Sequence, residues 1–442
     1  MTHKTVREWE RIVVGEGGFT RGEANTLLAA ARAHRLGGRD GTDILCDHHR
    51  YLRAQQMVGV IAGERCSLEI LPKVDPEAPA EDEPSVRGQL VHMLDVSLGL
   101  GLSTGETSAM ARQAQSLLEV FIAAFADRLL AEARRGLPRH YLRHDDDLRA
   151  LRGTLDVVRQ FTVNTVRADR LACKFDHLDC DIPLMQVMKA CVVKVEKHAR
   201  AAATRRKLAE LRLMLSDVSD ISPGALPWRS IRIDRSNLPW RALIELARLL
   251  LGQQWQDTRA GASDPEGMTL LFPMNDLFER YIAVQLRRAL AGAGLEVIAQ
   301  GGHRHCLGPW NEGNDCIGDS HSTRPDILVR RRGEVLAVID TKWKRFADGI
   351  AQADAYQMMA YARLSRCDRL ALLYPADHGE QVAISKTRGI AFGPERLDRI
   401  AIPISGSGTE VREALAMMIG PLATGDRSHS ERIMRPNAAI VG

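Results

Sequence analysis

The sequence predicts a multidomain α/β protein of the α+β type. A C-terminal mixed sheet flanked by helices is expected to follow a helical middle region and a small N-terminal β-rich module. The chain has 442 residues, which exceeds one typical domain. Its apolar residues alternate as in strands near the N-terminus and recur at helical spacing from about residue 87 to 260. From residue 270 to 420, stretches with strand-like alternation and stretches with helical spacing follow one another.

The N-terminal part, residues 1–86, is predicted to consist of strands around one helix. A strand is expected for TVREWERIVV, a helix for RGEANTLLAAARAH, and successive strands for residues 51–74, with a turn at Gly63. The segment VDPEAPAEDEPS follows and contains three prolines and five acidic residues. This composition predicts an acidic linker.

The middle part, residues 87–265, is predicted to be mostly helical. Helical spacing is clear in LLEVFIAAFADRLLAEARR and LIELARLLLGQQ, whereas an extended segment is expected for LRGTLDVVRQFTV. The stretch KACVVKVEKHARAAATRRKLAELR carries eight Lys or Arg residues and two Glu residues. A helix of this kind can bind a DNA phosphate backbone through Arg205, Arg206 and Lys207. The alternative is a solvated helix face.

Composition and charge limit the class of protein. The formal net charge is +4, which is compatible with a nucleic-acid partner without being diagnostic of one. The first residues lack the apolar core of a signal peptide, and no apolar run has the length of a membrane helix. The eight cysteines form no CxxC pair. We therefore expect a cytoplasmic protein with reduced thiols and no membrane partner.

The C-terminal part, residues 266–422, is predicted to be the catalytic domain. A helix is expected for MNDLFERYIAVQLRRALAGAG, a strand for LEVIAQ and a hairpin for RPDILVRRRGEVLAVIDTKWKRF. The helix ADAYQMMAYARLS, strands in DRLALLYPA and RIAIPIS, and the helix TEVREALAMMI complete it. Residues 423–442 have little apolar pattern and are predicted to be a mobile tail.

The hairpin contains the residues from which chemistry is predicted. If the chain turns near Gly333, Asp326 and Asp340 face each other across the antiparallel pair, with Cβ atoms roughly 4.5–5.5 Å apart. Lys342 leaves the same face as Asp340. Two opposed carboxylates suit a hard cation such as Mg²⁺ or Mn²⁺, to which the backbone carbonyl of Thr341 can add a ligand. Lys342 would position the attacking water or offset charge on a phosphate.

This pattern resembles the PD-(D/E)xK nuclease signature, with Pro325-Asp326 followed by Asp340-Thr341-Lys342. The resemblance implies that Glu279, on the preceding helix, can be a further metal ligand, although a plain surface glutamate is the alternative. Gln357 and Tyr361 resemble the QxxxY element of a RecB-like branch, against the alternative of a core tyrosine. The remaining basic residues predicted to contact phosphate are Lys344 and Arg345.

The order of the whole chain resembles the McrC family of McrBC-type modification-dependent (type IV) restriction systems. Besides the nuclease signature, VGVIAGERCSLEILPKV, LRGTLDVVRQ and FDHLDCDIPLMQVMKACV occur in the order of that family. The resemblance implies a nuclease subunit that binds a hexameric AAA+ GTPase of McrB type, stimulates its hydrolysis and cuts methylcytosine-containing double-stranded DNA. It also implies that the N-terminal and helical parts dock on the GTPase ring.

Two other functions are compatible with the same sequence. One is a non-cutting adaptor that activates an AAA+ partner, against which the complete Asp326, Asp340 and Lys342 set argues. The other is a stand-alone RecB-like repair exonuclease, which would not obviously need the long N-terminal modules. The chain has no GxxxxGK[ST] phosphate-binding loop, so GTP is expected to act only through the partner.

Overall fold

The computed structural model has a mixed α/β fold. It describes residues 2–37, 41–63, 65–73, 83–102, 116–167, 169–235, 237–252, 268–301, 304–307, 320–376, 384–391, 393–404 and 408–423. Within them the strands are β1 Thr2–Arg7, β2 Arg11–Val13, β3 Leu45–Asp47, β4 Tyr51–Ala54, β5 Met57–Ala62, β6 Cys66–Leu71, β7 His140–Leu148, β8 Thr154–Leu155, β9 Leu171–Asp179, β10 Met268–Pro273, β11 Glu296–Ala299, β12 Arg304–Leu307, β13 Ser320–Thr323, β14 Ile327–Arg331, β15 Glu334–Thr341, β16 Arg369–Pro375, β17 Ile384–Gly389 and β18 Arg396–Ile402.

Ten α-helices lie in the same described residues. They are α1 Arg21–Ala33, α2 Glu83–Leu98, α3 Leu117–Arg135, α4 Val157–Thr162, α5 Pro183–Glu196, α6 Ala202–Met214, α7 Trp240–Leu250, α8 Met274–Ala289, α9 Gln352–Ser365 and α10 Gly408–Ala423. None of these described helices is both long enough and apolar enough to cross a membrane.

The N-terminal module is built around a four-stranded sheet in the order β1-β6-β5-β10. Its last strand comes from the predicted nuclease part, because Met57 pairs with Pro273 and Ala62 with Met268. Gly59 allows this pairing, since a Cβ at that position would lie 1.9 Å from the backbone oxygen of Leu270. The first strand after the predicted boundary at residue 265 therefore belongs to the N-terminal sheet. The N-terminal module and the C-terminal part thus share this one sheet.

The middle part is largely helical, as predicted, but it also contains a three-stranded sheet in the order β7-β9-β8. β7 has no buried residue, and β9 buries only the adjacent residues Ala172 and Cys173, so neither long strand has the alternation that reveals a strand. The extended segment predicted for residues 151–163 is wrong apart from β8. Asp156 caps α4 there by accepting a hydrogen bond from the backbone N–H of Arg159.

The predicted basic helix also differs from the structure, because the chain forms two helices there. α5 ends at Glu196, and α6 begins at Ala202. The apolar residues of α5 are almost all buried, whereas Arg205 and Arg206 on α6 are exposed. The helical period is therefore correct, and the position of the break was missed.

The C-terminal part contains a six-stranded mixed sheet in the order β11-β14-β15-β16-β18-β17. β14 and β15 are antiparallel, and β16 is parallel to both β15 and β18. Alternate residues face opposite sides: Ile327 and Ile339 pack into the core that contains α8, and Leu328 and Val338 pack into the core that contains α9. A mixed sheet with a helix on each face is therefore confirmed.

Three predicted segments lie mainly or wholly outside the described residues. Most of the acidic linker falls within residues 74–82, the boundary at 265/266 falls within residues 253–267, and nearly all of the tail falls within residues 424–442. The division into domains remains a prediction.

Candidate active site

A tight hairpin brings Asp326 and Asp340 to the same end of the mixed sheet. The chain turns at Arg332 and Gly333, which have φ values of 50° and 88°, as in a type I′ turn. Beyond a register shift near the tip, Ile327 pairs with Ile339. Asp326 and Asp340 each lie one residue outside that pair. The opposition predicted from the sequence is therefore present.

Asp326 is held against the end of β15 by two hydrogen bonds. Its Oδ2 accepts one from the backbone N–H of Thr341, at 2.8 Å, and one from the Thr341 hydroxyl, at 2.9 Å. Burial raises the pKa of Asp326 in spite of these two hydrogen bonds. Thr341 thus fixes the orientation of one of the two opposed carboxylates.

Lys342 is fixed by three oxygen-bearing side chains. Its Nζ lies 2.7 Å from Oδ2 of Asp340 and 3.2 Å from Oδ1 of Asp354, and it donates a 3.1 Å hydrogen bond to Oε1 of Gln357. Burial lowers the pKa of the Lys342 amine, but Asp340 and Asp354 raise it by more, so the net shift is upward. The amine is therefore a positioned cation.

Two acids of the site have strongly raised pKa values. Burial, together with the Asp326 carboxylate, raises the pKa of Asp340 to about 6. The same two causes raise the pKa of Glu279 on α8 to about 7. Glu279 is buried, and its Oε1 has no hydrogen-bond partner among the described residues. A bound cation would add positive charge beside both carboxylates and favour their ionised form.

The acids and Lys342 line one cleft of about 330 Å³. The residues that line it are Gln56, Asn275, Asp276, Glu279, Asp326, Asp340, Thr341, Lys342, Trp343, Lys344 and Gln357. All three predicted catalytic residues are in this set. Gln56, Asn275, Asp276 and Trp343 were missed by the sequence analysis.

Helix α9 supports the site through the predicted pair Gln357 and Tyr361. Nε2 of Gln357 donates to the Tyr361 hydroxyl at 2.7 Å, and that hydroxyl donates to the backbone oxygen of Arg324 at 3.1 Å. Tyr361 is buried in the core as well, so it packs and connects the two strands of the site to α9. Asp354 was missed, although it lies three residues before Gln357 and so on the same helix face.

The residues of the cleft are suited to an oxygen-binding metal ion. Among the described residues, no three His, Cys, Asp or Glu side chains are grouped closely enough to hold a metal by themselves. A cation here would need the Thr341 carbonyl, water or substrate oxygens besides Asp326 and Asp340. Mg²⁺ is bound in this manner, with few carboxylates and several waters. The unpartnered oxygen of Glu279 fits the same chemistry.

The basic residues predicted to contact DNA are separated in the structure. Lys344 lines the cleft and lies 3.3 Å from Asp354, whereas Arg345 is not among the described residues that line it. Arg205 and Arg206 are exposed on α6, and Lys207 is paired with Asp127. Lys207 is therefore already neutralised, and the basic surface of α6 is smaller than predicted.

A comparison with protein families identifies the chain. The family described as McrBC 5-methylcytosine restriction system component matches residues 52–375, well over half of the sequence. The chain belongs to this family. The family predicted from the sequence is thereby confirmed. A comparison with curated proteins gives no match.

Solved structures from Thermococcus gammatolerans share the fold of this McrBC family member. A chain of a refined half-complex from the tetradecameric assembly of McrB AAA+ hexamers with bound McrC matches with a TM-score of 0.70 and 20% sequence identity, covering 95% of this chain and 100% of that chain. A chain of the cryo-EM structure of the McrBC complex matches with a TM-score of 0.53 and 22% identity, covering 65% and 88% respectively. At these sequence identities the similarity shows a shared fold and nothing further.

Proposed function

We propose that this chain is the Mg²⁺- or Mn²⁺-dependent endonuclease subunit of a McrBC-like restriction complex, with a PD-(D/E)xK active site. Together with an AAA+ GTPase partner of McrB type, it would cut double-stranded DNA that contains methylcytosine. The observation that carries this proposal is the convergence of Asp326, Asp340 and Lys342 at one end of a mixed sheet, in a cleft that Glu279 also lines. An adaptor would not need this set.

The residues of the site share two tasks in the proposed hydrolysis. Asp326, Asp340, the Thr341 carbonyl and Glu279 would hold the metal ion. When bound, the ion supplies a water of lowered pKa and offsets charge on the phosphate. Lys342 is held in place by Asp340, Asp354 and Gln357, so it can stabilise negative charge on the phosphate without a costly reorganisation.

The decisive test is cleavage of methylated and unmethylated plasmid by the chain, its AAA+ partner, GTP and Mg²⁺. We expect cleavage of the methylated plasmid only, and only with both proteins present, because the chain has no nucleotide-binding loop of its own. If the chain stimulates GTP hydrolysis while the methylated plasmid stays intact in both Mg²⁺ and Mn²⁺, the adaptor function replaces the nuclease.

Metal binding is expected to weaken as the pH falls from 8 to 6. A metal ion binds the ionised carboxylates, and the pKa values of Asp340 and Glu279 are raised to about 6 and about 7, so the protonated fraction of each group rises over this range. Titration calorimetry with Mn²⁺ on the full chain measures this, and chelator-treated protein rebinding Mn²⁺ at pH 8 is the control. An affinity that stays constant from pH 6 to 8 would contradict metal binding by acids with raised pKa values.

A second surface of the protein has the character of a binding surface for the AAA+ partner. The arm formed by β7, α4, β8 and β9, residues 140–179, exposes several large apolar side chains. They are Tyr141, Leu151, Val157, Val158, Phe161, Val163, Val166 and Leu178. No residue of α4 is buried. An apolar group of this kind on a folded protein usually marks a contact surface, and we propose that the arm, which contains the LRGTLDVVRQ element, docks on the AAA+ ring.

Replacing Phe161 by Asp is expected to weaken binding of the AAA+ partner at least tenfold. Phe161 is 72% exposed, and an aromatic residue buried at the centre of an interface commonly contributes about 2 kcal/mol. Biolayer interferometry with GTP present measures the affinity. Leu213→Asp is the matched control, because Leu213 is 76% exposed on α6, outside the arm. Equal affinities of the two variants would place the contact elsewhere.

A further inference from the structure

One residue of the N-terminal module reaches the candidate active site. Gln56 lies between β4 and β5 and lines the cleft together with the carboxylates. Its Nε2 donates a 3.3 Å hydrogen bond to Oδ1 of Asn275, which also lines the cleft. Asn275 lies four residues before Glu279 and so on the same face of α8. The two amides therefore form one wall of the cleft.

Backbone pairing explains why these two amides meet. Gln56 directly precedes the pair of Met57 with Pro273, and Asn275 is the second residue after Pro273. The pairing of β5 with β10 thus determines the position of Gln56 relative to α8. A change confined to the side chain of Gln56 would leave this pairing in place.

A buried contact keeps the module fixed against the site. The indole N–H of Trp343, next to Lys342, donates to Oε2 of Glu8 at 3.2 Å, and the same oxygen accepts from the backbone N–H of Lys73. The Trp343 ring packs edge-on against Phe278 of α8, with the centroids 5.5 Å apart. Gln56 therefore has a defined position relative to the carboxylates.

The chemistry of the cleft suggests what the amides bind. Four acids and two lysines line the cleft, and Lys342 is already engaged by Asp340, Asp354 and Gln357. A phosphodiester group needs hydrogen-bond donors, and amide side chains supply them as commonly observed contacts to DNA phosphates. Only one of the two N–H bonds of the Gln56 amide is used by Asn275, and the Asn275 amide carries two more.

We propose that Gln56 and Asn275 form a binding site for a backbone phosphate of the DNA beside the reacting phosphodiester. The N-terminal module then contributes directly to substrate binding, in addition to any role in docking the partner. This inference rests on the proposed nuclease function and names the part of the substrate that this wall of the cleft holds.

The test measures DNA affinity and its salt dependence. The full chain carrying Asp340→Asn, which prevents cleavage, is titrated into a short fluorescein-labelled duplex and followed by anisotropy. Gln56→Ala and Asn275→Ala are each expected to raise Kd about 3- to 10-fold, as for one lost hydrogen bond. The slope of log Kd against log salt should not change, because a neutral amide releases no counterion. In the complete complex without Asp340→Asn, KM should rise and kcat should stay within about twofold.

Gln55→Ala is the matched control. Gln55 is the neighbouring residue, but its Nε2 donates to Sγ of Cys46 at 2.9 Å, and it is not among the described residues that line the cleft. We expect its Kd to equal that of the parent. An unchanged Kd for Gln56→Ala, or a lower melting temperature without a change in Kd, would overturn the inference and leave the amide pair a structural bridge.

The two proposals fail in different ways. If Asp340→Asn abolishes cleavage and Gln56→Ala leaves KM unchanged, only the phosphate site is wrong. If Asp340→Asn cuts as fast as the parent, the nuclease site itself is misassigned, whatever Gln56→Ala does.

Discussion

Replacing Asp340 by Asn is expected to reduce DNA cleavage by the complete complex at least about a hundredfold. Asparagine has nearly the same size, so the hairpin can keep its shape. It removes the negative charge that a cation needs, and it also removes one of the two charged partners of Lys342, whose Nζ lies 2.7 Å from Asp340. Initial rates on methylated plasmid with the AAA+ partner and GTP measure this loss.

Partner binding and stimulation of GTP hydrolysis should persist in Asp340→Asn, because the arm proposed to dock on the partner is formed by residues 140–179. Asp398→Asn is the matched control. Asp398 lies in the same sheet, but its carboxylate interacts with Thr387 and Arg396 on β17 and β18. Cleavage at the parental rate by Asp340→Asn, or an equal loss in Asp398→Asn, would contradict the assignment of the metal site.

The geometry of the hairpin was predictable because its determinants are local. The alternation of apolar residues fixes which face each strand buries, and Gly333 marks the turn, so the opposition of Asp326 and Asp340 follows from the sequence alone. The spacing of Gln357 and Tyr361 was predictable for the same reason. They are four positions apart in a regular helix, so both lie on the same helix face.

The contributions that sequence analysis missed depend on contacts between distant parts of the chain. Gln56 reaches the cleft because β5 pairs with β10, and no periodic pattern relates two strands so far apart in sequence. Asp354 is in the first turn of α9, where an acid is common for reasons of helix stability alone. The arm was missed because neither of its long strands alternates between buried and exposed residues: β7 has no buried residue, and β9 has only two adjacent ones. Apolar patterning reveals only strands with a buried face.

Because β5 pairs with β10, deleting the N-terminal module would not test docking of the partner alone. Removing residues 1–86 would take away three of the four strands of the sheet that contains β10, together with Glu8, the partner of Trp343. A deletion of this kind would damage the nuclease part as well as any docking surface, so single substitutions are the sharper test.

Replacing Arg87 by Ala is expected to reduce the free energy of unfolding by about 3–5 kcal/mol. Arg87 on α2 makes two hydrogen bonds, of 2.8 and 2.6 Å, to the carboxylate of Glu69 on β6. The side chains are only 4% and 0% exposed, so the substitution leaves a buried charge without its main counter-ion. Glu69 also accepts from the backbone N–H of Leu117 at 2.7 Å, which ties the start of α3 to the same sheet.

Arg134→Ala is the matched control for Arg87→Ala in urea unfolding followed by circular dichroism. Arg134 pairs with Glu210 at 2.8 Å, but these side chains are 62% and 44% exposed, and such surface pairs contribute about 0–1 kcal/mol. The difference between the two variants therefore isolates the effect of burial on the same kind of ion pair. Equal losses would mean that the Glu69–Arg87 pair does not hold the N-terminal sheet against the helices. A large loss for Arg87→Ala alone would show that this buried pair stabilises the sheet that contains both β6 and β10, the strand that leads directly into α8.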